Sequence, residues 1–195
     1  LRALVADWRS AWGRPAWPFF IVQLPLFGTP AAHDPDSAWA ALRDAQRQAV
    51  ETTPDCHLVA ALDVGDAADI HPRRKAALGR RLALRALAAV YRRPRAARPV
   101  RALSARWTPD ALVVRLSAAL PPPASPVVLH LETAPDVWTR SEAAVVGKQL
   151  HVSAAPRALR VRHAWADHPA DTAPLTAHGE PLGTFELAVR SSRSA

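Results

Sequence analysis

The chain has 195 residues, a formal net charge of +8, one cysteine and no methionine. That length supports one sizeable core or two small ones, the lone Cys56 excludes an internal disulfide and a cysteine-rich zinc site, and no apolar run approaches the roughly 20 residues a membrane helix needs. The basic excess is 23 Arg against two Lys, spread through a background of Ala and 19 Pro; this is the usage of a GC-rich coding sequence, and without a basic stripe interleaved with stacking aromatics it does not point to nucleic acid.

Residues 1–12 carry apolar side chains at 1, 4, 5, 8 and 12, the spacing of a helix, and Gly13 and Pro15 end it. Because the chain opens inside a helical pattern and lacks Met, it is expected to be a piece of a longer chain or a processed product. Phe19-Phe20-Ile21-Val22-Gln23-Leu24 lies between Pro18 and Pro25 and predicts a strand buried on both faces. Asp36 or Ser37 can cap the next helix, with Trp39, Leu42 and Ala49 on its inner side. His57-Leu58-Val59-Ala60-Ala61-Leu62-Asp63 predicts a second buried strand, with Cys56 as a buried thiol at its entry. Residues 75–91 predict a long helix whose apolar face is built on Leu78, Leu82 and Val90, with Arg81, Arg85 and Arg92 opposite.

Helix, strand, helix, strand, helix is the order of one half of a doubly wound α/β sheet. In such sheets sites form beyond the carboxyl ends of the strands, and the loops 25–36 and 64–74 leave that edge. Residues 93–98 read as a linker. Beyond it the runs 111–116, 127–131, 149–152 and 159–162 predict a small antiparallel β unit, while Pro121-Pro122-Pro123 marks a rigid connection. The expected organisation is therefore 1–92, 93–98 and 99–195.

Most of the chemistry is concentrated in Leu62-Asp63-Val64-Gly65-Asp66-Ala67-Ala68-Asp69-Ile70-His71-Pro72. A histidine acting as general base needs a carboxylate on its other ring nitrogen to fix the tautomer and stabilise the imidazolium. Asp69, two residues from His71 on an irregular loop, can reach that nitrogen. The same residues also read as a cap on the following helix and a solvated loop histidine.

Several segments, in order, resemble the sialate O-acetylesterase family of SGNH hydrolases. They are Leu4-Val5-Ala6-Asp7-Trp8-Arg9, Phe19 to Leu24, Trp39 with Leu42-Arg43-Asp44-Ala45-Gln46, and Asp63-Val64-Gly65-Asp66 leading into Asp69-Ile70-His71-Pro72. Lys75 with Gly79-Arg80-Arg81-Leu82-Ala83 follows. Val161-Arg162-His163-Ala164-Trp165-Ala166-Asp167 with Pro169 is similar to the family's closing motif, and Gly179-Glu180-Pro181-Leu182 and Phe185 come after it.

This resemblance implies the C-terminal half of an SGNH-type, flavodoxin-like parallel-sheet hydrolase followed by a small β-rich unit. It implies a Ser-His-Asp esterase acting on acetylated carbohydrate, with His71 as the base, Asp69 orienting it, and the nucleophilic Ser and most oxyanion donors N-terminal of this chain. A periplasmic or secreted parent is expected on the same ground. Many SGNH enzymes place the acid three residues before the His, where this chain has Ala68, so Asp66 stays open beside Asp69. Gln23, Arg43 and Gln46 belong to the resemblance as substrate contacts or, preferably, as internal supports. The internal Ser37, Ser104 and Ser117 lack a Gly-flanked elbow and are not nucleophile candidates. His33, His57, His130, His151, His163, His168 and His178 show no ligand spacing, so neither metal nor cofactor is expected, and His163 reads as packing. The rival functions are a non-catalytic remnant or glycan-binding module, and an esterase of other polysaccharides such as acetylated xylan.

Overall fold

Helix α1 (Arg2–Ala11) leads into strand β1 (Phe19–Val22), and helix α2 (Ala38–Glu51) connects β1 to strand β3 (Cys56–Val59). The computed structural model describes residues 1–93, 99–171 and 173–191, so the expected linker, apart from Arg93, lies outside the described residues. β1 and β3 pair in parallel, with Phe19 opposite Cys56 and Val22 opposite Val59. Their carboxyl ends therefore lie at one edge, and the two predicted loops leave from it. A short two-residue strand, β2 (Pro30–Ala31), sits within the first of these loops. A 3₁₀ turn (Leu62–Val64) and the loop 65–74 join β3 to helix α3 (Lys75–Ala89).

Two expectations fail here for physical reasons. β1 is half-buried, with Val22 37 % exposed, because among the described residues β3 is its one strand partner. A strand flanked on one edge cannot be covered as a central strand is. The helices also turn polar residues inward. On α2, Leu42 is 50 % exposed while Ala40, Arg43 and Asp44 are buried; on α3, Arg81 and Arg85 are buried rather than opposite the core. Apolar periodicity cannot foresee this, because each guanidinium is satisfied by partners distant in sequence.

The C-terminal part is a barrel of seven strands: β4 (Ala102–Trp107), β5 (Ala111–Leu116), β6 (Val127–Ala134), β7 (Val137–Val146), β8 (Gln149–Ser153), β9 (Arg160–His163) and β11 (Phe185–Arg190). Neighbours run antiparallel in the order β4-β5-β8-β7-β6-β9-β11, and a parallel β11–β4 pairing closes it. Closure removes the free edges that an open sheet of this size would leave to aggregate. Its interior is filled by Leu112, Val114, Leu116, Leu129, Leu131, Leu150, Val161 and Phe185. Four of the strands were legible as apolar runs. β4, β7 and β11 were not; in β7 six of the ten residues are exposed, and consecutive exposure of Thr139 and Arg140 breaks its alternation.

Between β9 and β11 the chain leaves the barrel and returns to the helix–strand part. β10 (His168–Pro169) pairs in parallel with β2, Trp165 O accepts the N–H of Asp34 at 2.9 Å, and Asp167 O accepts that of Phe27 at 3.2 Å. Among the described residues no helix is long and apolar enough to cross a membrane.

Candidate active site

The loop 65–74 carries the Asp69–His71 pair. Asp69 Oδ1 accepts the backbone N–H of His71 at 2.8 Å and lies 3.0 Å from His71 Nδ1. One carboxylate oxygen thus closes an Asx turn and engages the imidazole, which places the ring proton on Nδ1 and leaves Nε2 for exchange with a substrate. These same bonds, from the His71 backbone and then from its ring, hold the Asp69 carboxyl below the ordinary carboxylate range. Asp66 Oδ1 instead accepts the N–H of Ala68 at 2.9 Å, whereas the carboxylate hydrogen-bonded to the His71 ring is that of Asp69. The helix-cap alternative for Asp69 is not what forms, because the residue at the N-cap of α3 is Arg74.

The pair is open to solvent, with the His71 side chain 79 % and the Asp69 side chain 41 % exposed. Among the described residues His71 has no hydroxyl partner. Ser37 Oγ caps α2 through the N–H of Ala40 at 2.9 Å and donates to Asp167 Oδ1. Ser117 Oγ donates to Pro99 O and accepts from Arg101 N.

The loop is positioned from outside itself. Gly65 packs its backbone on Leu26: a Cβ there would overlap Leu26 O and lie 2.7 Å from Leu26 N, so this position requires glycine. Gly28 N donates to Ala67 O at 3.0 Å. The loop 25–37 is therefore the shelf on which the Asp69–His71 turn rests.

That shelf is held by Arg43, which is fully buried. Its Nε donates to Thr184 Oγ1 at 2.9 Å, Nη1 to Asp167 O at 3.1 Å and Pro25 O at 3.5 Å, and Nη2 to Ala164 O and Ala166 O. Burial lowers the Arg43 guanidinium to about 10, against the opposing field of Asp167. At neutral pH it stays charged and is matched to a cage of carbonyl dipoles. Gln23, also fully buried, donates Nε2–H to Arg43 O at 2.9 Å, and its Oε1 has no hydrogen-bond partner among the described residues. Gln46 Oε1 accepts the N–H of Leu24 at 3.1 Å. Asp69 and His71 are thus brought together, while the buried Gln23 and Arg43 and the half-buried Gln46 lie apart from them beneath the shelf.

The shelf also meets the barrel through stacked rings. His33 lies 4.5 Å from His130 and 5.1 Å from Trp138 between ring centroids, and the Arg162 guanidinium sits 4.0 Å from both Trp138 and Trp165. Burial lowers His33 and His130 to about 4 each, so both are neutral near pH 7. Stacked rings do not converge on a common ion, and among the described residues no group of three His, Cys, Asp or Glu side chains can hold a metal. His163 is buried, contacts Phe185 at 5.6 Å between centroids and engages Val128 O through Nδ1.

A cavity of about 570 Å³ lies elsewhere, between α2, β3 and α3 on one side and β4 and β11 on the other. Its lining includes Cys56, His57, Arg85 and Glu180 but neither Asp69 nor His71. Burial raises the Cys56 thiol, the opposite of what a reactive cysteine needs.

Sequence reasoning missed Arg81, Asp63 and Glu180. The Arg81 guanidinium grips Asp63 Oδ1 and Oδ2 at 2.8 and 2.7 Å, and Glu180 pairs with Arg85 and accepts the N–H of Ala60 at 2.9 Å. The one available signal was Arg81 and Arg85, a single turn apart on a helix that also carries Lys75 and Arg80.

No protein-family model matches the chain, and no curated protein matches it. Among solved structures it is similar to a carbohydrate acetylesterase from Xanthomonas citri, at 25% sequence identity and a TM-score of 0.83. The match covers 95% of this chain and 44% of that one, so the chain spans less than half the length of that relative.

Proposed function

We propose that this chain is the acid–base half of a carbohydrate O-acetylesterase of the SGNH type. The observation that carries the proposal is the Asp69–His71 pair, hydrogen-bonded at 3.0 Å on the loop beyond the carboxyl ends of β1 and β3. Likeness in fold to a carbohydrate acetylesterase supports the same reaction class. The β1–β3 pair with α2 and α3 is then part of a larger parallel sheet, and the nucleophilic Ser belongs to polypeptide outside these 195 residues.

In the reaction His71 Nε2 removes the proton of the Ser hydroxyl as its oxygen attacks the acetyl carbonyl. The imidazolium is stabilised by Asp69, which is ionised across the neutral range. His71 then delivers the proton to the departing sugar oxygen, leaving an acetyl-enzyme. Water attacks that ester, His71 accepts its proton, and acetate leaves as Ser is restored. Resemblance favours a sialoside substrate. Acetylated xylan is the competing class, since the structural relative is described by carbohydrate in general.

The test is acetyl release by the complete protein and its variants. His71→Ala is expected to lower kcat by roughly 10³-fold or more, and Asp69→Asn less severely. Near-normal release by His71→Ala would end the proposal. Assays on acetylated sialosides and acetylated xylan in parallel separate the two substrate classes.

A further inference from the structure

His71 and Asp69 are exposed; inside their loop Asp66 and Asp69 make only short-range turns, and across its ends an exposed Arg74 Nη1 donates a single bond to Asp63 O at 3.3 Å. Such a loop keeps one geometry when its two ends are fixed in space. Its entry is Asp63, in the 3₁₀ turn, and its exit is α3, which begins at Lys75. Arg81, in the second turn of α3, reaches back across the loop to Asp63. Both of its Nη nitrogens take part, at 2.8 and 2.7 Å, and the same two nitrogens donate to Ala60 O at 2.9 Å and Gly179 O at 2.6 Å. Arg81 is 5 % exposed. A bidentate guanidinium–carboxylate pair fixes both distance and orientation, which a single point charge does not.

We propose that Arg81 is a positioning residue for the Asp69–His71 pair, clamping the entry and exit of their loop and tying both to the segment around Gly179. The inference rests on the esterase reading for its kinetic consequence, but the clamp itself is measured without activity. Arg85 supplies the matched control. It lies one turn further along α3, is equally buried and also grips the 179–180 segment, through Glu180, while its Nε donates to Leu58 O of β3 at 3.2 Å rather than to the loop's entry.

The experiment is hydrogen–deuterium exchange of residues 64–74 in the complete protein, alongside kcat and KM. It compares wild type with Arg81→Gln, Arg81→Lys, Asp63→Asn and Arg85→Gln. Asp63→Asn leaves the Arg81 bonds to Ala60 and Gly179 in place, so it reports on the clamp even if Arg81→Gln folds poorly. Exchange across 64–74 is expected to accelerate in Arg81→Gln and Asp63→Asn, with Arg81→Lys intermediate. Arg85→Gln is expected to lower Tm while leaving that segment protected. Loss of positioning should appear as a fall in kcat of roughly ten- to a hundredfold, with KM within about twofold. Unchanged exchange of 64–74 in both Arg81→Gln and Asp63→Asn overturns the proposal, as does equal acceleration in Arg85→Gln. Altered exchange together with an active His71→Ala would sink the esterase reading and leave the clamp standing.

Discussion

Acidifying the protein from about pH 7.5 to about pH 4.5 adds protons to the unfolded chain that the folded chain refuses at His33 and His130. Both imidazoles are lowered from 6.5 to about 4, chiefly by burial. His33 is pressed further by Arg162; His130 is pressed by His33, Arg140 and His163, with Asp171 opposing. Between those values the unfolded state binds more protons, so stability rises with pH through the window and is lost as pH falls from 6.5 toward 4. For His130 the gap is about 2.5 pH units at about 1.4 kcal/mol each, an upper limit near 3 kcal/mol. His33 is half-exposed and coupled to His130, so it adds a fraction of that. A combined loss of about 3 kcal/mol by pH 4.5 is expected, lowering Tm by about 6–12 °C for a chain of this size. Thermal or urea unfolding followed by Trp fluorescence reads this directly. His33→Phe with His130→Phe keeps the ring stack but removes the titration, and should at least halve the slope between pH 4.5 and 6.5. The remaining slope belongs to His57 and His163, also lowered by burial. Asp69 and Glu132, held below the carboxylate range by hydrogen bonds, cost stability at lower pH still. Stability independent of pH across this window, or an unchanged slope in the double variant, would refute the reasoning.

Gly65→Ala forces a Cβ into the backbone of Leu26 and should cost about 2–4 kcal/mol; acetyl release should fall further than stability does, because the same shift displaces Asp69 and His71. Denaturant unfolding and a kcat measurement on the folded fraction check both parts. Arg43→Lys keeps the charge but offers three donors where the native residue bonds four carbonyls and the Thr184 hydroxyl. It is expected to destabilise by about 3–5 kcal/mol, as breaking a buried charged network does, with the loss visible in the urea midpoint.

The parallel β1–β3 pair, α1, α2 and α3 were legible because each is a run of apolar residues with local period and local stops. The edge that carries Asp69 and His71 was legible for the same reason, since it follows from the strand–helix order. What escaped was every feature set by distant partners. Arg81 and Arg85 lie on a helix whose apolar face is obvious, and nothing local says that Asp63 and Glu180 wait on the other side. Barrel closure was equally hidden, because β7 presents Val137, Thr139, Arg140 and Glu142 to solvent and takes its place through pairing with β6 and β8 rather than through its own pattern. The crossing of 164–184 back to the helix–strand part left a trace only as conspicuous residues, among them Trp165, Asp167, Gly179 and Glu180.

The arginine excess takes on a different meaning once the partners are known. On composition alone, 23 Arg against two Lys reads as a habit of coding. Arg43, Arg81 and Arg85 each span the junction between the helix–strand part and the returning segment, and Arg160 and Arg162 bind Glu132 and Glu186 on the barrel wall. A guanidinium suits such junctions because five donors in one plane can serve several carbonyls and a carboxylate at once, and because it tolerates partial desolvation better than an ammonium. Lysine would leave carbonyl or carboxylate oxygens unmatched at each of these sites. Whatever the coding bias supplied, these five positions use chemistry that only arginine provides. Arg43 and Arg81 tie the returning segment 164–184 to the elements that flank the Asp69–His71 loop, while Arg85 ties the same segment to α3 and β3.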